Sequence, residues 1–138
     1  MTRQAEVLLP GSAVEATAMA LTAPISFWGG VNPRTAEIAD VRHPEYGQRI
    51  NGRVLLIPAT IGSSSAAAIL LELVHAGIAP AAVVLHEPDA ILLLGLIVAR
   101  EMGYPTPMAL RLDAREFAAL HGRRLSISAT GSFTAQGG

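Results

Sequence analysis

The stretch "VLLIPATIGSSSAAAILLELVHAG", residues 54–77, decides the fold because the hydrophobic pattern changes within it. Its first part, residues 54–59, is a continuous apolar run, which is typical of a strand buried on both faces. Apolar residues then recur at helical spacing over 63–76, and Gly77 supplies a C-terminal cap. A buried strand that leads through a short loop into a helix predicts the start of a parallel α/β arrangement.

The rest of the second half repeats this alternation. Apolar runs predict further strands over 81–86, 106–112 and 124–129. Asp89 is a suitable N-cap for a helix over 89–102, and a short helix is expected over 113–121. We therefore expect an α/β chain whose second half consists of parallel strands covered by helices.

The first half is punctuated by glycine and proline. Its short apolar runs are "AEVLL" at 5–9, "AVEATAMALTA" at 13–23 and "ISFW" at 25–28. These runs predict short strands and tight loops, with one more short strand near Ile38. We expect a single domain over 1–138, with frayed ends at 1–10 and 134–138.

The composition indicates a single core and a partner. A length of 138 residues suits one compact domain. Hydrophobic residues make up 51% of the chain but aromatic residues only 4%, so the core must consist mainly of Ala, Val, Ile and Leu. This apolar excess predicts a face covered by another chain, either a different subunit or a second copy of this one.

Charge, cysteine content and hydropathy exclude several classes of function. The formal net charge is −1 and the basic residues are scattered, which argues against nucleic-acid binding. Without cysteine, the chain can form neither a disulfide nor a thiolate-held metal or iron–sulfur site of its own. The longest apolar stretch, residues 90–99, is shorter than the ~18–20 residues that cross a bilayer. The N-terminus has no recognisable export signal, so we expect a cytoplasmic protein without membrane contact.

The three consecutive serines after Gly62 have three possible roles. One serine can simply cap the helix, which contributes about 1 kcal/mol. Alternatively, the N–H groups and the positive end of the helix dipole can bind an anion, or stabilise a serine alkoxide that acts as a base. A phosphate-binding P-loop is disfavoured because no lysine follows in the required pattern. A hydrolase nucleophile elbow is disfavoured because G-x-S-x-G is absent here.

The tryptophan and the histidines are further candidates. Trp28, within "PISFWGGVNP" at 24–33, is either a core aromatic before a flexible turn or part of a surface that contacts a ligand or subunit. His43 precedes a proline and is expected in an extended loop, where a solvated turn residue is the simplest interpretation. His75, His86 and His121 lie too far apart in sequence to form a recognisable metal motif and are interpreted as helix-end or surface residues.

Five segments in this order resemble the small-subunit domain of the aconitase X family: "PISFWGG" (24–30), "RHPEYGQRINGRVLLIP" (42–58), "GSSSAAAILLEL" (62–73), "GIAPAAVVL" (77–85) and "ILLLGLIVAREMGYPTP" (91–107). They cover most of the chain, and their combination is much more specific than any one of them. The resemblance implies the swivelling domain of aconitase, a β/β/α barrel-like fold that packs across the active-site cleft of a large subunit.

The resemblance also implies a function. It implies the small subunit of a hydro-lyase, inactive alone, that acts with a large subunit on a small hydroxy acid. The leading expectation is cis-3-hydroxy-L-proline dehydration. The alternatives are the small subunit of a phosphomevalonate dehydratase and a swivel or regulatory module without catalysis. An iron or iron–sulfur centre is expected on the large subunit, with no cofactor bound by this chain, and self-association without the partner is also possible.

Specific residues receive roles from the same resemblance. Ser63 is assigned as the catalytic base, and substrate contacts are expected from Gly62, Ser64, Ser65 and His43. The cleft or the subunit contact is expected to include Phe27, Trp28, Gly29 and Gly30. An ordinary serine is too weakly acidic to act as a base, so aligned N–H groups and a dry pocket must stabilise its alkoxide.

Three positions depart from the family pattern. Ala16 and Ala36 stand where glycines are expected, which bears on local turn geometry. Ile61 stands where many members carry a basic residue. This change removes one possible anion ligand beside Gly62 and bears on the identity of the substrate.

Overall fold

The structure, a computed structural model, describes residues 2–62 and 64–136. Its strands are β1 Thr2–Gln4, β2 Glu6–Leu9, β3 Val14–Ala20, β4 Val54–Ile57, β5 Ala82–Leu85, β6 Met108–Arg111, β7 Arg124–Ile127 and β8 Ser132–Ala135. Its helices are α1 Phe27–Gly30, α2 Ser65–His75, α3 Ala90–Glu101 and α4 Phe117–Leu120, and a 3₁₀ turn, Ala114–Glu116, leads into α4. The alternation of strands and helices predicted for the second half is confirmed.

The sheet closes on itself through the first strands. Its order is β1-β8-β7-β3-β4-β5-β6-β2. β1 and β2 stand at the two ends of this order, yet only Ala5 separates them along the chain. β1 pairs antiparallel with β8, and β2 pairs antiparallel with β6. One extended segment of chain therefore joins both edges, and the expected β/β/α barrel-like form is confirmed.

The strands β3, β4, β5 and β6 form the parallel part of the sheet. β4 and β5 are buried along their whole length. Successive residues of β4 enter two different cores, because side chains of a strand alternate between its faces. Leu55 and Ile57 belong to the core that includes α2 and α3, whereas Val54 and Leu56 belong to the core inside the barrel. Burial on both faces explains the continuous apolar run in the sequence.

The barrel interior is filled by alanines together with larger aliphatic and aromatic side chains. Ala16, Ala18 and Ala20 of β3 line it, and Phe117 and Leu120 of α4 also belong to this core. Ala16, found where a glycine is expected, sits in a regular strand opposite Leu125. A methyl group is therefore accommodated at this position without a special backbone conformation.

Ala36, the second alanine at an expected glycine position, lies in a strained conformation. It is fully buried and has a φ of +63°, the left-handed region that favours glycine. Its N–H donates to Asn32 O at 2.8 Å, and its carbonyl accepts from Ile50 N–H at 3.0 Å. These bonds and the surrounding core hold the residue in a conformation that alanine by itself avoids.

Helices α2 and α3 pack closely on one face of the sheet. At Gly95 a Cβ atom would lie 2.4 Å from Ala67 O, so only glycine permits this approach of the two helices. Large apolar side chains are exposed on the outer face of α3 and at the residue that follows it, namely those of Ile91, Leu94, Ile97, Val98 and Met102. Among residues 2–62 and 64–136, no helix is long and apolar enough to span a bilayer.

Two expectations about the chain are wrong. "ISFW" does not form a strand: Ile25 makes only an isolated bridge to Thr60, and Phe27–Gly30 forms the short α1, in which Trp28 and Gly29 depart from helical geometry and Gly29 has a φ of +79°. The ends are not frayed within the described residues, because β1, β2 and β8 pair with neighbouring strands.

Candidate active site

The serine loop, residues 58–64, connects β4 to α2 at the carboxyl ends of the parallel strands. In open α/β sheets and in closed α/β barrels alike, ligand sites lie at this edge, where the loops after neighbouring parallel strands meet. Here the loop after β3 leads to Ile25, the loop after β4 carries the serines, and the loop after β5 leads to Asp89. Ser63, the predicted base, lies outside the described residues, so the site is defined by the groups around it.

The segment before α1 holds one side of the serine loop. Ile25 N–H donates to Ala59 O at 3.1 Å, and Ile61 N–H donates to Ile25 O at 2.9 Å. Ile25 and Thr60 thus form an isolated parallel bridge. The backbone of the loop is fixed up to Ile61, one residue before Gly62.

Asp89 holds the other side of the loop. Its Oδ1 caps α3 by accepting hydrogen bonds from Ile91 N–H and Leu92 N–H, both at 3.0 Å, which confirms the predicted N-cap. Its Oδ2 accepts a hydrogen bond of 2.6 Å from Thr60 Oγ1. One carboxylate therefore joins the start of α3 to the loop that carries the serines.

The contacts of Ser64 do not explain the serines as a cap of α2. Ser64 is the N-cap residue of α2, yet within the described residues its side chain makes no capping hydrogen bond, and its φ of −60° and ψ of −25° are already helical. Gly62, Ser64 and Ser65 are exposed, and a Cβ at Gly62 would have open space around it. The loop therefore presents an accessible polar surface at the N-terminus of α2.

A surface depression of about 390 Å³ lies beside the serine loop, and we call it the serine-loop depression. Its walls include Trp28, Gly29 and Gly30 from α1, Asp40 and Arg42 from the following loop, and Ile61. Trp28 and Ile61 expose 60% and 58% of their surface, whereas Phe27 is buried in the core. Of the residues predicted at the cleft or subunit contact, Trp28, Gly29 and Gly30 are thus brought together, whereas Phe27 lies in the core and does not line the depression.

His43 braces the loop that follows α1. The side chain is buried, so the interpretation as a solvated turn residue is wrong. Its Nε2–H donates to Ala23 O at 3.2 Å, and its Nδ1 accepts from Glu45 N–H at 3.1 Å, which requires the neutral Nε2–H tautomer. Both ring nitrogens are therefore occupied by backbone groups. A direct substrate contact from His43 stays a prediction.

Glu45 is a buried carboxylate that the sequence analysis missed. Its Oε1 accepts from Thr22 N–H at 2.6 Å, and its Oε2 accepts from Thr22 Oγ1 at 2.8 Å. It lines a second cavity of about 440 Å³, on whose walls Pro58, Phe117 and His121 also lie. The Thr22–Glu45 hydrogen bonds join the loop after α1 to the end of β3. These two residues lie 23 positions apart, and no local motif reveals the contact.

The remaining histidines have separate structural contacts. His75 Nδ1 lies 2.8 Å from Tyr104 Oη at the end of α2. His86 Nδ1 accepts from Ala114 N–H, and His121 Nδ1 accepts from Ala20 N–H. Within the described part of the chain, no group of three or more His, Cys, Asp or Glu residues could hold a metal ion.

The fold and the serine loop define a small α/β domain with a polar site at the carboxyl edge of its parallel strands. The model of the aconitase X swivel domain family matches residues 2–134. This chain belongs to the aconitase X swivel domain family, which confirms the resemblance seen in the sequence.

Relatives and a solved structure agree with this assignment. The chain is 46% identical, over 78% of its length, to a cis-3-hydroxy-L-proline dehydratase of Pseudomonas aeruginosa, of which it spans 19%. It is 38% identical, over 62% of its length, to a phosphomevalonate dehydratase small subunit of Methanopyrus kandleri, of which it spans 63%. The crystal structure of Thermococcus kodakaraensis aconitase X in its holo-form superposes with a TM-score of 0.86 at 22% identity, over 99% of both chains, and supports the fold.

Proposed function

We propose that this chain supplies the base-bearing part of an aconitase X-type hydro-lyase, and that the substrate is cis-3-hydroxy-L-proline. The proposal is carried by the position of the serine loop, held between Ile25 and Asp89 at the carboxyl edge of the parallel strands. The relative with 46% identity bears the name of this dehydratase. Because this chain spans about a fifth of that relative, the activity needs a further polypeptide or a further part of the chain.

In the proposed reaction Ser63 accepts the proton from the carbon next to the substrate carboxylate. The electron pair of that C–H bond forms a double bond to the neighbouring carbon, and the C–O bond there breaks to release hydroxide. Ser63 later returns its proton to solvent, so the net products are water and the unsaturated acid. The N–H groups at the start of α2 and the helix dipole lower the cost of the serine alkoxide.

The leaving hydroxide needs a Lewis acid. An iron or iron–sulfur centre on the large subunit would supply that chemistry when bound. This chain contains no cysteine, so thiolate ligands would have to come from the partner. The residues of this chain act on the substrate from the opposite side, as base and as binding surface.

We propose that the large subunit covers the serine-loop depression. Trp28, Val41 and Ile61 expose between 58% and 72% of their surface around the loop. Exposed apolar side chains that surround a polar site are typical of a surface that another chain covers. The isolated chain is therefore expected to show no dehydratase activity and to gain it on mixing with the large subunit, whereas turnover by the purified chain alone would contradict this role.

Alanine substitutions in the assembled enzyme test the base. Ser63→Ala should lower kcat by about 10²- to 10⁴-fold, the usual range for a positioned acid or base. Ser64→Ala and Ser65→Ala should act more weakly, mainly on KM or on stability. Near-normal turnover of Ser63→Ala together with a lower melting temperature would show that Ser63 stabilises the fold and does not act as the base. A swivel module without catalysis would then be the better explanation.

A phosphomevalonate dehydratase is the second candidate. It is favoured by the 38% identity to a small subunit of that name. Assays of the same assembled enzyme with mevalonate 5-phosphate and with cis-3-hydroxy-L-proline separate the two. Turnover of only the phosphorylated substrate would replace the leading proposal.

A further inference from the structure

The serine-loop depression contains one cation without a protein partner. Arg42 lies on its wall and is exposed. Across residues 2–62 and 64–136, its guanidinium takes part in no hydrogen bond or ion pair; the same holds for Arg34, Arg53 and Arg123, but of these four only Arg42 lines the depression. A guanidinium is suited to bind a planar carboxylate through two parallel hydrogen bonds. An arginine left unpaired on the wall of a site is therefore available to an anionic ligand.

The backbone around Arg42 is already fixed. Arg42 N–H donates to Asp40 Oδ1 at 2.9 Å, and His43 N–H donates to Asp40 O at 3.0 Å. Ala39 N–H donates to Gly30 O at 2.8 Å, which ties this loop to the turn that carries Trp28. The buried His43 ring adds its bonds to Ala23 and Glu45. Binding at Arg42 thus requires ordering of one side chain rather than of a loop.

Asp40 places the opposite charge in the same depression. Its Oδ1 is used by the turn, whereas its Oδ2 has no hydrogen-bond donor among the described residues. The rest of the wall is uncharged: Ser26, Trp28, Gly29, Gly30, Ala39, Val41 and Ile61. The carboxylate of Asp40 and the guanidinium of Arg42 are thus the two charged groups on this wall. They complement the ammonium and the carboxylate of an α-amino acid, which are separated by one carbon.

We propose that Asp40 and Arg42 bind the ammonium and the carboxylate of an amino acid substrate. The inference rests on the proposed function and narrows its substrate to a cyclic amino acid. Arg42 holds the carboxylate next to the carbon that loses its proton, and Asp40 holds the ring ammonium. The apolar side chain of Ile61 adds no competing charge beside Gly62. A phosphorylated hydroxy acid has the carboxylate but not the ammonium, so only Arg42 would have a role with that substrate.

Charge-removing variants of the assembled enzyme test the two contacts separately. Arg42→Gln should raise KM for cis-3-hydroxy-L-proline by about 10- to 100-fold, as expected for loss of a charged hydrogen bond, with kcat changed much less. Asp40→Asn keeps the Oδ1 acceptor of the turn and should raise KM by a similar factor. Arg42→Lys should retain part of the affinity, because it keeps the charge but not the paired geometry.

Competitive inhibitors make the test specific for each group. L-proline, L-prolinamide and cyclopentanecarboxylate differ only in the carboxylate or the ring nitrogen. Wild-type enzyme should bind L-proline most tightly. Arg42→Gln should no longer prefer L-proline over L-prolinamide, because the carboxylate contact is lost. Asp40→Asn should no longer prefer L-proline over cyclopentanecarboxylate, because the contact to the ring nitrogen is lost.

Arg34→Gln is the matched control. Arg34 is also exposed, and its N–H donates to Asn32 Oδ1 at 2.9 Å in the same kind of turn, but it does not line the depression. Its KM and inhibitor preferences should equal those of wild type. Unchanged preferences in both Arg42→Gln and Asp40→Asn, in a wild-type enzyme that dehydrates hydroxyproline, would overturn this inference alone. Failure of the wild-type enzyme to act on any amino acid would overturn the proposed function and this inference together.

Discussion

Thr60 and Asp89 connect the serine loop to the start of α3 through one hydrogen bond of 2.6 Å, from Thr60 Oγ1 to Asp89 Oδ2. The two residues lie 29 positions apart and follow adjacent parallel strands. The other oxygen of Asp89 caps α3. Rotation of the carboxylate would therefore break either the cap of α3 or the hydrogen bond to Thr60. The position of the serines therefore depends on the packing of α3.

Thr60→Val removes this connection while keeping the shape of the side chain and the helix cap. We expect loss of stability of only about 1 kcal/mol, the usual net contribution of one hydrogen bond. In the assembled enzyme kcat should fall by about 10- to 100-fold, because a small displacement of a catalytic group has a large effect on rate. Thermal melts and steady-state kinetics measure the two effects separately.

Two further variants show whether the loop position is responsible. Thr60→Ser restores the hydroxyl and should recover most of kcat. Thr106→Val removes a hydroxyl that accepts from Arg100 Nη2 at 2.8 Å, outside the walls of the serine-loop depression, and should leave kcat unchanged. An equal fall in kcat for Thr60→Val and Thr106→Val would point to general destabilisation and contradict the positioning role.

Gly95→Ala should destabilise the chain although alanine is the better helix former. The added Cβ would lie 2.4 Å from Ala67 O and 3.1 Å from Ala67 C, both backbone atoms of α2. The helices must separate, at a cost of about 1–3 kcal/mol typical of overpacking. In an exposed helix, Gly→Ala raises the unfolding free energy by about 1 kcal/mol. The sign of the measured change in unfolding free energy therefore shows whether the contact with Ala67 or the helix propensity dominates. Ala68→Ser, exposed on the same helix as Ala67, should change stability by less than about 0.5 kcal/mol.

The parallel strands could be predicted from sequence because they are buried on both faces. The runs at β4 and β5 leave no polar position that would favour another structure, and Asp89 precedes its helix as an N-cap should. The strands at the ends of the chain were missed because they are short and partly exposed. β8 pairs with β7 across the short connection 128–131, whereas β1 pairs with β8 from the opposite end of the chain, a contact that the local sequence does not encode.

The candidate site was predictable only as a set of short motifs. "GSSS" and "FWGG" mark the loops that meet at the serine-loop depression, and both follow the carboxyl ends of parallel strands. The side-chain contacts that hold these loops were not predictable, because they use residues that are common in any turn. Thr60–Asp89 joins the serine loop to the start of α3, and Thr22–Glu45 joins the segment after β3 to the loop after α1. The apolar residues of "ISFW" predict a strand, whereas Gly29 at positive φ turns the chain.

A pH dependence of stability is expected from Asp113. Hydrogen bonds from the Arg115 side chain, followed by the Arg115 backbone N–H, lower the pKa of this carboxyl from 3.8 to about 2. A carboxyl whose pKa is lower in the folded than in the unfolded chain stabilises the fold above the unfolded pKa. This contribution should be lost as the pH falls from about 4 to about 2.

Asp113→Asn should therefore flatten the decline of melting temperature between pH 4 and pH 2. The amide oxygen can still accept from Arg115 N–H, so the start of the 3₁₀ turn is kept. Arg115→Gln removes the same pair from the other side and should flatten the decline similarly. An unchanged decline in both variants would show that this exposed pair does not contribute to stability in solution.

Ala36→Gly tests the strained position. Glycine relieves the cost of a φ of +63°, about 1–2 kcal/mol for alanine. It also loses one buried methyl group, worth about 0.8 kcal/mol, and adds freedom to the unfolded chain, worth a further ~0.5–1 kcal/mol. The terms nearly cancel, so the unfolding free energy should change by less than about 1 kcal/mol. Ala109→Gly, equally buried but in the centre of β6, loses the methyl group without any relief of strain and should cost about 1–2 kcal/mol more. Equal losses in the two variants, measured by denaturant unfolding, would show that Ala36 is not strained and that its backbone adapts to the side chain.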